Sequence, residues 1–274
     1  VLKGFTQRMA EIAPGMAINV YPELRNMKDT EDTFRQAEGS SKGIVFLRSS
    51  GAEFLAKAAP KVPCFIGACN NPEQIGVIKN LAEPEGKVTG VTYFIPYQKR
   101  FDLLTKLFPK VRSVALLVEA GHPSSPIEQE GTRAECARRG IAYHEVVASN
   151  LGQLTKGAQE LVGKVDLFII TNTRLVMDNV TSILFITNPA KIPVFSYAQH
   201  AVKRGAAAGM AADDTKLGQM LADSVVDVVV RGLPISRVPV KMDASPLVLV
   251  NESVMQSLGL ALPATMAKRV LPTP

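Results

Sequence analysis

Residues 61–68 read KVPCFIGA and residues 191–198 read KIPVFSYA, two near copies lying about half a chain apart, a distance that suits duplicated lobes and not short solenoid repeats. Each string is a β-prone apolar run. Between them residues 81–93, LAEPEGKVTGVTY, read as a strand that would carry the chain from one lobe to the next, with Gly90 as a pivot.

Outward from the first copy, residues 43–48, GIVFLR, have the continuous apolar character of a parallel strand buried on both faces. A helix over 5–13, a strand over 16–21 and a helix over 30–37 are expected before it. Ser50, followed three residues later by Glu53, reads as a capping box, and Asn71, Pro72 and Gln74 repeat the device after 62–68. Around the second copy, SVALLVE at 113–119 is a strand, and Ser125, Pro126 and Glu128 form another capping box opening a helix to Arg139. A strand over 166–171 is followed by Asn172 and Thr173 and by a helix through 187; the next strand spans 192–197. Residues 206–213 lead into a long helix over 215–230, short strands over 238–242 and 247–250, and closing helices over 251–258 and 264–270. Strands alternating with helices predict an α/β fold of two Rossmann-like lobes, each a doubly wound parallel sheet.

The 274 residues suffice for a sizeable core, and a composition 46% hydrophobic and 20% charged is ordinary for a globular chain. The apolar run at 225–230 is broken by Asp227 and is too short to cross a bilayer, so no membrane insertion is expected. The net charge of +6 comes from scattered lysines and arginines, which argues for a solvated basic surface and against a nucleic-acid partner. Cys64, Cys69 and Cys136 are an odd count without a CxxC pair, so buried free thiols are expected and neither a disulfide framework nor a zinc site. The chain opens at Val1 with a helix where such a fold opens with a strand, which leads us to expect an upstream segment, the place of a signal peptide.

In open parallel sheets ligands bind at the carboxyl ends of strands, where helix N-termini favour anions. Four polar pairs fall there: Ser49 and Ser50, Asn70 and Asn71, Ser124 and Ser125, Asn172 and Thr173. Taken singly, each is an ordinary helix cap. Together they would rim a cleft between the lobes and meet a carboxylate or another acceptor-rich group. Among the aromatics Tyr93, Phe94, Tyr97 and Tyr197, we expect Tyr93 and above all Tyr197 to face a flat ligand, and Arg48 and Arg174 flank two of the pairs. The P-loop, dinucleotide and nucleophile-elbow motifs are missing, and the three histidines do not share metal-ligand spacing, so no catalytic residue, cofactor or metal is expected. Cys69, Asn70 and Asn71 resemble the cysteine loop of two-lobed amino-acid racemases, but residues 171–173 offer no second cysteine and Cys136 lies within a predicted helix. Binding therefore ranks above catalysis.

With those residues in view, the chain resembles the ABC_sub_bind substrate-binding proteins of ABC transporters, relatives of tryptophan and aromatic amino-acid binders. The matching strings are VPCFIGACNNPEQIGVIKNLA at 62–82, PEGKVTGVT at 84–92, LLTKLFPKV at 103–111, the stretch 191–218 with IPVF and GAAAGMAAD, and LGLALP at 258–263. The resemblance implies the type I periplasmic binding protein fold, two lobes joined by three crossovers near 89–94, 209–213 and 238–243. The first lobe would then comprise 1–92 plus 212–237 and the second 93–211 plus 238–274. It also implies an extracytoplasmic, periplasmic solute-binding protein with a small-molecule ligand and an ABC permease as partners. The ligand would be polar or carboxylate-bearing, aromatic or amino-acid-like. A ligand-sensing domain of a regulator shares the fold and stays open beside it, as does the racemase. Ser50, Ser125 and Thr173 match polar positions of the family pattern, whereas Asn71 and Asn172 stand where that pattern usually has aspartates. Amides in place of carboxylates predict weaker recognition of a ligand ammonium group, because charge assistance is lost.

Overall fold

The structure is a computed structural model, and it describes residues 1–21, 24, 26–262 and 270–271. In chain order its strands are β1 (Ile44–Leu47), β2 (Cys64–Cys69), β3 (Val88–Thr92), β4 (Ser113–Glu119), β5 (Ala142–Ala148), β6 (Leu167–Ile170), β7 (Val194–Ser196), β8 (Ala208–Ala211), β9 (Lys241–Met242), β10 (Leu247–Val250) and β11 (Val270–Leu271). They form a sheet of order β1-β2-β3-β9 and a second of order β11-β10-β8-β7-β6-β4-β5. The first is parallel throughout, and in the second only the pair of β10 with β8 is antiparallel among the described strands.

Each sheet belongs to its own compact unit. The first unit comprises Val1–Phe94 and Ala212–Ala244, the second Ile95–Ala211 and Ser245–Pro274, so the chain passes from one to the other three times. Residues 238–244 lie in the first unit and not in the second as expected, because β9 pairs beside β3, Val91 with Lys241 and Thr92 with Met242. Gly90 lies inside β3 opposite Ile66 of β2. A Cβ there would sit 2.0 Å from the Ile66 carbonyl oxygen, and its φ of +146° lies where side-chain-bearing residues are strained.

Alternation along β4 shows why this central strand is apolar from Val114 to Val118. Val114, Leu116 and Val118 join a core with Phe101, Leu104 and Phe195, while Ala115 and Leu117 join another with Leu154, Phe168 and Ile183. Successive residues point to opposite faces, and both faces are covered. In the first unit Phe65 and Val91 pack against Phe5, Met9, Leu217 and Leu221, and the other core holds Phe34, Phe54, Cys64 and Ile66. The helices Leu2–Ile12 and Asp214–Val229 touch backbone to backbone. Cβ atoms at Gly4 and Gly218 would come within 2.2 Å of Thr215 O and 2.1 Å of Val1 O.

Three local expectations fail for identifiable reasons. Residues 16–21 make no strand, and Val20 and Tyr21 are half exposed; β propensity expresses the fit to a paired, half-buried surface, which this segment lacks among the described residues. The helix predicted to start after Ser50 starts at Arg48, whose φ of +71° turns the chain directly out of β1. Ser50 and Glu53 therefore lie inside it, and Glu53 pairs with Lys57 at 2.9 Å. The helix Ser125–Arg139 has no side-chain cap, since Ser125 Oγ donates to Glu119 O at 2.6 Å and Glu128 is recruited elsewhere. Asn71 does cap its helix, accepting from Glu73 N at 3.1 Å with Pro72 at the first position. The predicted helix over 264–270 lies, but for Val270, outside the described residues.

Candidate functional site

In the first unit the site residues lie where β1, β2 and β3 end. Ser49 and Asn70 are buried, and Ser49 Oγ accepts from Asn70 N at 3.0 Å. Asn70 Oδ1 accepts from Asn71 N at 3.0 Å, and Thr92 Oγ1 lies 2.9 Å from Cys69 O and 3.2 Å from Asn70 O while accepting from Phe94 N. These hydroxyls and amides hold strand ends to one another. Ser50 is exposed and Asn71 half-buried. Tyr93 donates its N–H to Cys69 O, and its ring packs partly buried on the core of Phe65 and Val91. Arg48 and Ala68, both with positive φ, bracket this edge; such backbone costs about 1–3 kcal/mol per residue.

In the second unit the corresponding edge is formed by β4, β6 and β7. From β4 the chain steps to β5 on one side and then to β6 on the other, so a topological switch point opens at the carboxyl end of β4. The four polar residues predicted in this unit gather there, and Tyr197, the fifth, does not. Ser124 N donates to His122 Nδ1 at 3.1 Å, and Ser125 holds the end of β4 through Glu119 O. Thr171 Oγ1 donates to Leu117 O at 2.9 Å and lies 3.3 Å from Thr173 Oγ1, tying the end of β6 to β4. Asn172 is exposed, while Thr173 is buried at the head of the helix Arg174–Asp178 without capping it. That helix is capped by Glu119, the half-buried last residue of β4, whose Oε2 accepts from Leu175 N at 2.9 Å.

Tyr197 is buried in a cluster that the sequence reading did not foresee. Arg100, 1% exposed, donates to Glu128 Oε2 at 2.9 Å, and its guanidinium lies 3.9 Å from the centre of the Tyr197 ring and 5.1 Å from that of Tyr97. The Tyr97 hydroxyl lies 3.0 Å from Ile127 O and 3.1 Å from Glu128 Oε2, and Thr132 Oγ1 is 3.5 Å from the Tyr197 hydroxyl. Burial, and then the Glu128 carboxylate, push the Tyr97 phenol far above its ordinary value, so it stays a donor. Gly131 makes room, since a Cβ there would fall 2.0 Å from the Tyr97 ring. A signal was present: positions 97, 100, 104 and 107 form one helical stripe with Tyr97, Leu104 and Leu107, which places Arg100 on the buried face.

The three cysteines are free and buried as expected, and burial pushes each thiol up to about 12. Cys69 therefore carries no thiolate at neutral pH, which a racemase base would need. All three are expected to stay silent toward a thiol-reactive disulfide dye at pH 8 until denaturant is added; a native protein that reacts as fast as free cysteine would contradict this. Among the described residues no group of three His, Cys, Asp or Glu side chains could hold a metal ion, and no helix is long and apolar enough to cross a membrane.

Comparison with known proteins adds four findings. The family model for ABC transporter substrate binding proteins matches residues 25–271. A tyrosine-binding protein of Clostridioides difficile (strain R20291) is 21% identical over 263 residues, covering 94% of this chain and 76% of the relative. Among solved structures, the ABC domain in complex with L-Trp from Streptococcus pneumoniae superposes with a TM-score of 0.87 at 20% identity, covering 99% of this chain and 94% of that one. A conserved domain protein from Vibrio cholerae superposes equally well, at 22% identity over 100% of this chain and 94% of the other. The shared fold is that of type I periplasmic binding proteins.

Proposed function

The chain belongs to the family of ABC transporter substrate binding proteins, and from that premise we propose that it captures a small aromatic, amino-acid-like solute bearing a carboxylate and hands it to the membrane subunits of an ABC permease. It does so outside the cytoplasm and without turnover. The observation that carries this reading is that both units present strand-end polar residues of one design: Ser49, Ser50, Asn70 and Asn71 in the first, Ser124, Ser125, Asn172 and Thr173 in the second. The helices that begin at Arg48 and Ser125 carry no side-chain caps, so their N-terminal N–H groups and partial positive charge favour a carboxylate. Tyr93 in the first unit is a half-buried aromatic at this edge, with Phe94 beside it. Tyr197 supports the second unit from within, under Arg100. Relatives that bind tyrosine and L-Trp support an aromatic amino acid as the class of solute.

A thermal-shift screen with L-tryptophan, L-tyrosine, L-phenylalanine, aromatic keto acids, sugars and nucleosides tests this. A ligand present at 100 times its Kd stabilises the native state by about 2.7 kcal/mol. We expect a clear rise in Tm with at least one aromatic acid and none with nucleosides. Because the chain has no Trp, the emission of bound tryptophan can be followed without protein background of the same kind. A shift with sugars or nucleosides alone would refute the assignment.

A further inference from the structure

Glu119 is the one acidic residue at the switch point of the second sheet that the strand-end reading did not include. It closes β4, the strand on whose two sides β5 and β6 are laid, and so stands where a doubly wound sheet opens its crevice. Its main chain is fixed by Ser125, and one carboxylate oxygen, Oε2, is fixed by Leu175 N across the gap from β4 to β6. The other oxygen makes no hydrogen bond, and no cation pairs with this carboxylate, among the described residues. Capping alone does not call for a charge here. Thr173 already occupies the capping position of the five-residue helix, a residue type that serves as well, yet it does not cap. The carboxylate oxygen left without a hydrogen bond can accept from a cationic ligand group, and such a charge-assisted bond is stronger than a neutral one.

We propose that Glu119 reads the ammonium group of the ligand, which makes the solute an α-amino acid and not merely an aromatic acid. This rests on the functional reading above and deepens it. In this chain the acidic function of the site stands at the end of β4, while Asn71 and Asn172, at the loop positions, are amides. Charge-assisted contact replaces what those amides cannot supply. Thr171 and Ser125, locked onto the backbone of β4, hold the carboxylate in register.

Calorimetry on the wild-type chain and on Glu119→Gln, with L-tryptophan, L-tyrosine and L-phenylalanine each paired with its deaminated 3-arylpropanoate, tests the assignment. The wild type is expected to prefer the amino acid by about 10- to 100-fold. In Glu119→Gln that preference should shrink to within about threefold while affinity for the deaminated partner holds. Gln keeps an oxygen for Leu175 N–H, so the ligand-free Tm should stay close to that of the wild type. If the Gln variant does not fold, Glu119→Asp serves in its place: its withdrawn carboxylate should reduce the preference and leave the deaminated partner untouched. A full preference retained by either folded variant, or a wild type that binds both partners alike, overturns the assignment alone. A wild type that binds neither member of any pair overturns the functional reading as well.

Discussion

Arg100→Ala is expected to destabilise the second unit by about 3 to 5 kcal/mol, the cost of leaving a buried carboxylate without its cation. Both side chains are almost fully buried, at 1% and 3% exposure, so Glu128 would keep the Tyr97 hydroxyl but lose its cation with no water to replace it. The substitution also removes the guanidinium that stacks on Tyr197 and leaves a gap between two aromatic rings. The double substitution Arg100→Met with Glu128→Leu should cost much less, within about 2 kcal/mol of the wild type, because no charge is then stranded. Urea unfolding followed by tyrosine emission measures both, since Tyr97, Tyr143 and Tyr197 of the five tyrosines lie in the second unit. A single variant that loses less than about 1 kcal/mol would show that Glu128 finds other compensation.

Gly90→Ala should cost the first unit about 3 to 5 kcal/mol, although it adds a single methyl group. The new Cβ would lie 2.0 Å from Ile66 O and 2.7 Å from Ile66 N, main-chain atoms of the neighbouring strand that no rotamer change can move. Positive φ adds backbone strain to the steric cost. A useful contrast is Gly86→Ala, where φ is also positive at +72° but no atom lies within 4 Å. Strain alone should then cost about 1 to 2 kcal/mol. Equal losses at the two glycines in urea denaturation would show that the close approach of β2 and β3 is not what fixes Gly90.

The strands were legible because their apolar runs are unbroken: β4 and β10 span the residues expected of them, β7 falls within its near-copied string, and β2 runs one residue past the other. Strand ends were legible for the same reason, and with them the polar pairs. Which side chains turn outward was not, because that depends on neighbours distant in sequence. Ser49 looks like a free cap until Asn70, just past the end of the next strand, is seen to donate to it. Glu128 fits the capping-box spacing equally well whether or not an arginine 28 residues earlier claims it. Segment 16–21 shows the limit from the other side, for it has the composition of a strand but no strand beside it among the described residues.

The composition of the first unit from two separate lengths of chain has a consequence for how the molecule is made. Helix Leu2–Ile12 completes its packing only on helix Asp214–Val229, through contacts that span roughly 200 residues of chain, the kind that slow folding. During synthesis from the N-terminus, the second unit's strands from β4 to β8 are all available before that partner exists. The side chains of Phe5 and Met9 therefore complete their packing only once residues 214–229 have been made.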